Sequence, residues 1–305
     1  MPEWEAEVAI DEMLVRALLV EQFPELDASS ACLLAEGWDN SVWVVEERWA
    51  FRFPRREVAI PGVERELQVL VALAPRLPVP IPVPRFVGEP TDRFPWPFFG
   101  AELLSGIEPC DAGLVDEERE LLGTELGHFL RVLHSPKTLA VVDPRSALPD
   151  DPIRRADTPF RVTRIRERLA ELPREAWEAP AGVSEILAEG DRLPPSTRRV
   201  LTHGDLHVRH LLVQGGSLSG VIDWGDMCRS DPAIDLMLVW LLLPPAGRER
   251  FVEAYGPVDE ESLLRARVLA LFLGLTLAVD ARDVGHDALE RECVAGLERT
   301  LVDWG

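Results

Sequence analysis

Lysine and asparagine are almost absent: Lys137 and Asn40 are the single examples of their types in 305 residues. Any site that calls for either residue elsewhere must use a substitute. Cysteine is sparse too. Cys32, Cys110, Cys228 and Cys293 are widely scattered and form no CxxC pair. That excludes a metal knuckle or a disulfide framework and fits reduced cytosolic thiols. Apolar stretches such as Ile234–Leu243 are shorter than the ~20 residues a bilayer-spanning helix needs. The acidic start, MPEWEAEVAIDE, lacks the basic and apolar regions of a signal peptide, so the expected compartment is the cytoplasm. Cations are outnumbered, with 32 Lys and Arg against 53 Asp and Glu and a formal charge of −21. Such a balance argues against nucleic acid or an anionic membrane as partner, because phosphate binding needs a basic face. It suits a cationic small substrate, or it simply keeps the protein in solution.

What is present supports a packed globular protein, since hydrophobic residues make up 47% of the chain. Apolar spacing predicts a first helix over Ile10–Gln22. Short β-branched and aromatic runs predict strands at Ala31–Leu34, Ser41–Val45 and Trp49–Phe53. A helix is expected over Glu64–Leu73. The proline-dense run Pro75–Pro97 excludes helix and central strand, leaving extended connections and edge strands. Phe98–Leu104 reads as a strand closed by Ser105-Gly106, which sets a domain boundary: 1–104 and 105–305. Beyond it, Val115–His134 carries Leu122, Leu126, Phe129, Leu130 and Leu133 at helical spacing. Residues 144–197 are charged and proline-punctuated, with a helix at Arg161–Glu171. Strands are expected at Arg199–Leu201, Leu211–Val213 and Leu218–Ile222, the last two joined across Gly215-Gly216. Asp231-Pro232 has the chemistry of a helix start, opening a helix to about Leu243. Helices near 247–255, 260–281 and 286–302 complete a mainly helical second part.

Chemistry concentrates in Leu201-Thr-His-Gly-Asp-Leu-His-Val-Arg-His-Leu-Leu-Val and in Gly220-Val-Ile-Asp-Trp-Gly-Asp226. Asp205 follows one strand and Asp223 ends another, one hairpin later. A hairpin can bring both carboxylates together, one to accept a proton from an attacking hydroxyl and one to hold a metal on a polyphosphate. In these segments the chain resembles the aminoglycoside phosphotransferase family, small-molecule kinases that include the macrolide phosphotransferases. His203-Gly204-Asp205-Leu206-His207 matches the family's HGDLH loop, Ile222-Asp223-Trp224 its IDW segment, and Asp231-Pro232-Ala233-Ile234-Asp235 its DPxxD helix start. The likeness extends to Gly37-Trp38-Asp39-Asn40 and to Gly127 through His134.

The resemblance implies an α+β, two-lobed protein-kinase-like fold: a small antiparallel-sheet lobe that binds nucleotide and a larger helical lobe that carries catalysis and substrate. It implies transfer of the γ-phosphate of ATP or GTP, with Mg²⁺, to a free hydroxyl of a small molecule. Asp205 would be the base and Asp223 the principal metal ligand. The family places Asn five residues after the base; here that position is His210, as in macrolide phosphotransferases, and a neutral imidazole can ligate a divalent metal. The usual strand lysine is replaced by Arg52, whose guanidinium suits bidentate phosphate contact. Glu66 is its expected partner, with Glu64 in competition. Phosphate cradling falls to backbone N–H groups of Gly37–Ser41 and to Ser41, and base recognition to the backbone at Glu102–Leu104. Asp235 is expected to brace the catalytic loop, with His203 as a hydrogen-bond donor within it. Two other functions stay open at this point: a nucleotide-binding regulator without catalysis, and a metal-dependent hydrolase using His203, His207 and His210.

Overall fold

The computed structural model describes residues 6–37, 39–171 and 177–302; Trp38, part of the Gly37–Asn40 motif, lies outside them. The chain divides into two compact units, Met1–Arg76 with Pro80–Leu104, and Leu77–Val79 with Ser105–Gly305.

The N-terminal unit holds α1 (Glu12–Gln22), β1 (Cys32–Glu36), β2 (Asn40–Val45), β3 (Trp49–Pro54), α2 (Ile60–Leu73), β4 (Pro84–Gly88) and β5 (Phe98–Glu102). Helix α1 starts where the Asp11 carboxylate accepts the Leu14 N–H at 2.8 Å, satisfying one of the donors that every helix start leaves open. The strands form one antiparallel sheet in the order β1-β2-β3-β5-β4. Side chains alternate across a strand, so Phe51, Phe53 and Phe98 share one face and pack on Val15, Leu18, Leu19 and Phe23. Each fully buried ring contributes about 2 kcal/mol. Phe99 and Ala101 point to the other face and pack on Val63 and Leu67 of α2. Helix α2 begins at Ile60, four residues before the expected start. Pro61 sits in its first turn, where a missing N–H breaks no helical bond. In the proline-dense run, β4 opens on Pro84 and lies at the sheet edge.

The second unit is mainly helical: α3 (Asp116–Leu133), α4 (Pro136–Val142), α5 (Thr158–Glu171), α6 (Ala181–Gly190), α7 (Ala233–Leu242), α8 (Pro245–Tyr255), α9 (Glu260–Asp283) and α10 (Asp287–Leu301). Two small sheets are set into it: β6 (Val200–Thr202) pairs with β9 (Cys228–Ser230), and β7 (Leu211–Gln214) with β8 (Ser217–Val221). All ten residues of α7 are buried, and α9 packs against α7, α10 and α5. By length and composition α9 could cross a membrane, but 67% of its most apolar 18-residue window is buried within the protein. The apolar run within α9 is thus longer than Ile234–Leu243, and α9 is a core helix. Helices α4 and α6 and strand β9 go beyond the sequence expectation. At three residues β9 is too short to show a period, and α4, at seven residues, is just under two turns. Helix α7 starts at Ala233, one residue late, with Asp231 still capping: its carboxylate accepts the Ala233 N–H at 2.8 Å.

Candidate functional site

Strand β6 delivers the chain into the loop His203–His207, and the loop is held from behind by one buried carboxylate. Asp235, in the first turn of α7, accepts the backbone N–H of His203 at 2.9 Å and of Gly204 at 3.1 Å. The same carboxylate lies 3.0 Å from His134 Nε2, and His134 Nδ1 is 2.9 Å from the hydroxyl of Tyr255, the single tyrosine. A carboxylate only accepts, so His134 donates from Nε2 and takes the Tyr255 O–H on Nδ1. Burial, then the charge of Asp235, pushes the Tyr255 hydroxyl up, which keeps it a donor. Gly204 has φ +89°, and a Cβ there would lie 2.1 Å from the Asp226 carbonyl oxygen. Only glycine fits this close approach. His203 accepts the Asp205 N–H on Nδ1 at 3.3 Å, so its Nε2 donates to the Ile222 carbonyl at 3.0 Å.

The β7–β8 hairpin turns on Gly215 and Gly216, both at positive φ, and pairs Leu211 with Val221. The register returns Ile222 to His210, whose carbonyl accepts the Ile222 N–H at 3.0 Å. His210 thereby lies between the two carboxylates. Its Nδ1 is 2.7 Å from the Asp205 carbonyl oxygen and 3.8 Å from Asp205 Oδ2, and its Nε2 is 3.5 Å from Asp223 Oδ2. With Nδ1 donating to a carbonyl, the neutral ring carries its lone pair on Nε2, facing the Asp223 carboxylate. An unprotonated nitrogen opposite a carboxylate oxygen is a donor set that a cation between them satisfies. Asp223 itself is held at φ +61°, a left-handed conformation that non-glycine residues adopt under constraint.

One guanidinium and two imidazole rings condition Asp205. Burial pushes its carboxyl up, but the His207 hydrogen bond and the charges of His207, His210 and Arg155 outweigh this and hold it well below the usual carboxylate range. Burial first, then the neighbouring His210, pulls His207 down to about 4. His207 is thus neutral near pH 7. Its Nδ1 accepts the Arg209 N–H at 3.3 Å and its Nε2 lies 3.5 Å from Asp205 Oδ2. Arg155 enters from the loop between α4 and α5, with Nη2 2.8 Å from Asp226 Oδ2 and 3.9 Å from Asp205 Oδ1.

The structure corrects the expected histidine cluster. Both ring nitrogens of His203 are engaged by backbone, Nδ1 within the loop and Nε2 at Ile222, so it does not join His207 and His210 around a metal. The group whose ligand atoms lie within 4.8 Å of one another is Asp205, His207 and His210. In the N-terminal unit, Arg52 alternates with Phe51 and Phe53 and so faces α2, where its Nη1 is 2.9 Å from Glu66 Oε1. Glu66 is fully buried while Glu64 is exposed. Ser41 is buried, its hydroxyl accepting the Trp43 indole N–H at 2.6 Å. Glu102 ends β5 exposed, Leu104 is half-buried, and between them the Leu103 N–H is taken by the Arg48 carbonyl at 2.7 Å.

Arg155 and Tyr255 escaped the sequence reading. Arg155 follows Arg154 in an aperiodic charged stretch, and nothing local separates it from that neighbour, which pairs on the surface with Asp157. Tyr255 carries a single cue, its uniqueness.

Comparison with known proteins bears on the fold and the family. No curated protein matches the chain in sequence. Among solved structures, the GDP and kanamycin complex of APH(2")-IIia superposes with a TM-score of 0.66 at 23% identity, covering 93% of this chain and 97% of that one. The apoenzyme of macrolide 2'-phosphotransferase MphH from Brachybacterium faecium gives 0.61 at 24% identity, over 94% and 98%. The streptomycin-ATP-APH(2")-IIa ternary complex gives 0.57 at 18% identity, over 90% and 91%. The two-unit α+β chain therefore has the kinase-like fold of these enzymes. Its sequence also matches the model of the phosphotransferase enzyme family over residues 30–269, well over half its length, and to that family of phosphotransferases the chain belongs.

Proposed function

We propose that the protein is a small-molecule kinase that moves the γ-phosphate of ATP or GTP onto a hydroxyl, with Asp205 as the base. The observation that carries this is the placement of His210 between Asp205 and Asp223. One carboxylate is left for the acceptor, and the other shares a donor set with an imidazole nitrogen. Asp223 and His210 are the residues that would hold Mg²⁺, which when bound neutralises charge on the polyphosphate. Asp205, anionic and fixed by the braced loop, would accept the proton of the acceptor hydroxyl as phosphoryl transfer proceeds. Asp235 contributes by holding the His203 and Gly204 amides, so that the base needs no reorganisation. In the N-terminal unit, Arg52 would hold the α/β-phosphates while Glu66 orients it. The phosphate contacts of that loop would come from backbone N–H groups and from the Ser41 hydroxyl, which accepts the Trp43 indole N–H and keeps its own O–H to donate. The backbone at Glu102–Leu104 would meet the base.

The related structures hold kanamycin with GDP, gentamicin, or streptomycin with ATP. Aminoglycosides, macrolides and related hydroxyl metabolites are therefore the first acceptors to test, and a cytoplasmic detoxifying or metabolic role follows from the same reading. The test is transfer of labelled phosphate from ATP and from GTP to such a panel, with and without Mg²⁺. Nucleotide binding that is never followed by transfer or hydrolysis would replace the kinase with a regulator.

A further inference from the structure

Among the described residues, two groups of metal-ligating side chains have their ligand atoms within 4.8 Å of one another. One belongs to the catalytic loop. The other, Cys110, Asp111 and His286, joins the segment ahead of α3 to the corner between α9 and α10. Both sides are fixed by backbone. The Glu108 carbonyl accepts the N–H groups of Asp111 at 3.0 Å and Ala112 at 3.2 Å, closing a tight turn that carries two of the three. In the corner, Gly285 takes φ +73° and the His286 N–H donates to the Ala281 carbonyl at 2.7 Å. Arg119 in α3 and Glu292 in α10 form a buried two-bond ion pair, at 2.9 and 2.7 Å, that ties these helices together.

We propose that Cys110, Asp111 and His286 bind a zinc-like divalent transition ion, which staples the segment before α3 to the start of α10. The inference does not rest on the kinase reading. Sulfur with imidazole selects ions of this kind, whereas Mg²⁺ keeps to oxygen ligands. The thiol lies among anions. Burial first, then Glu108 and Asp111, push it up to about 12, and its Sγ is 3.7 Å from Glu108 Oε2. The same anions attract a divalent cation. Coordination breaks the S–H bond and forms a sulfur–metal bond, the proton passing to solvent. Zinc sits about 2.3 Å from sulfur and 2.0–2.1 Å from imidazole nitrogen, so ligands on one ion are roughly 3.5 Å apart. Asp111 is exposed and Cys110 half-buried, which leaves both side chains room to close that distance. His286 Nδ1 accepts the Leu289 N–H at 3.3 Å. Coordination through either ring nitrogen gives up that bond, a small loss beside thiolate and imidazole ligation. With three protein ligands, the fourth position is left to water.

The test titrates the metal-stripped full chain with Co²⁺ in saturating Mg²⁺. One equivalent should give a sulfur-to-cobalt charge-transfer band in the near ultraviolet, and Zn²⁺ should bleach it. Asp205, His207, His210 and Asp223 offer no sulfur, so the catalytic loop cannot produce this signature. Cys110→Ser should remove the band, and His286→Gln should weaken Co²⁺ binding about tenfold or more. Zn²⁺ should raise the melting temperature of the wild type by about 3 °C or more and leave Cys110→Ser unmoved. In the wild type Zn²⁺ should also slow alkylation of Cys110 about tenfold or more, while exposed Cys32 reacts as before and Cys228 and Cys293 stay buried. No charge-transfer band at ~100 μM Co²⁺ overturns the proposal. So does a band that survives Cys110→Ser, or an affinity that His286→Gln leaves unchanged.

Discussion

In the N-terminal unit, Arg52 and Glu66 meet because a strand alternates and a helix lies on one face of the sheet. In the C-terminal unit, Asp205, His210 and Asp223 meet through loops held in unusual backbone. Positive φ in the first unit falls at Glu46 and Glu47, in the β2–β3 turn, while Arg52 sits in the middle strand β3. In the second it is spread over turns and also falls at Gly204, Asp223, Asp151 and Arg154, in the segments that carry Asp205, Asp223 and Arg155. Regular structure places residues coarsely and at little cost. Loops place them finely, and need a buried network to stay in place. All six histidines belong to the second unit as well, and His134, His203, His207 and His210 are tied into its polar network.

The sharpest way to break this contrast is Asp205→Asn. Phosphoryl transfer should fall by ~10³-fold or more, while calorimetry shows nucleotide affinity within a few-fold of wild type. Retention of a tenth of kcat would mean that the loop network serves something other than a base. Next comes Asp235→Ala, which strands the His203 and Gly204 amides and His134. A loss of about 3–5 kcal/mol in denaturant unfolding is expected, against a smaller loss for Glu66→Gln, whose partner Arg52 is 15% exposed and can reach water.

Acid should separate the units further. Burial depresses both His203 and His207, so the folded protein keeps them neutral while the unfolded chain binds protons. Stability is therefore full above pH 6.5 and falls as pH drops toward 4, by roughly 3 kcal/mol for His207. Hydrogen exchange followed against pH should show the β6–β8 region losing protection before the first sheet; simultaneous loss would contradict it. The smallest effect is expected for Arg52→Lys, a rise of about tenfold in nucleotide KM with kcat little changed. An unaltered KM would reduce the Arg52–Glu66 pair to a structural bridge.

Much of the first unit was legible in advance, because strands and amphipathic helices write their period into the sequence. Arg52 between Phe51 and Phe53 announces its own face. Its α2 start was hidden only by Pro61, which is tolerated in a first turn. The second unit was legible through motif order rather than period. His203-Gly204-Asp205-Leu206-His207 and Ile222-Asp223-Trp224 marked the place of the chemistry. They did not reveal that His203 spends both nitrogens on backbone, which removes it from any metal cluster.

Local pattern and spacing were enough to read the family, the two-part α+β organisation and the stretches that hold Asp205 and Asp223. Only the tertiary structure decided the company that Asp205 keeps. His134, Tyr255, Asp226 and Arg155 reach the catalytic loop from separate places in the chain. Charge is felt over a few ångströms in space, not over a few residues in sequence. A chain with net charge −21 can thus hold a guanidinium 3.9 Å from the Asp205 carboxylate.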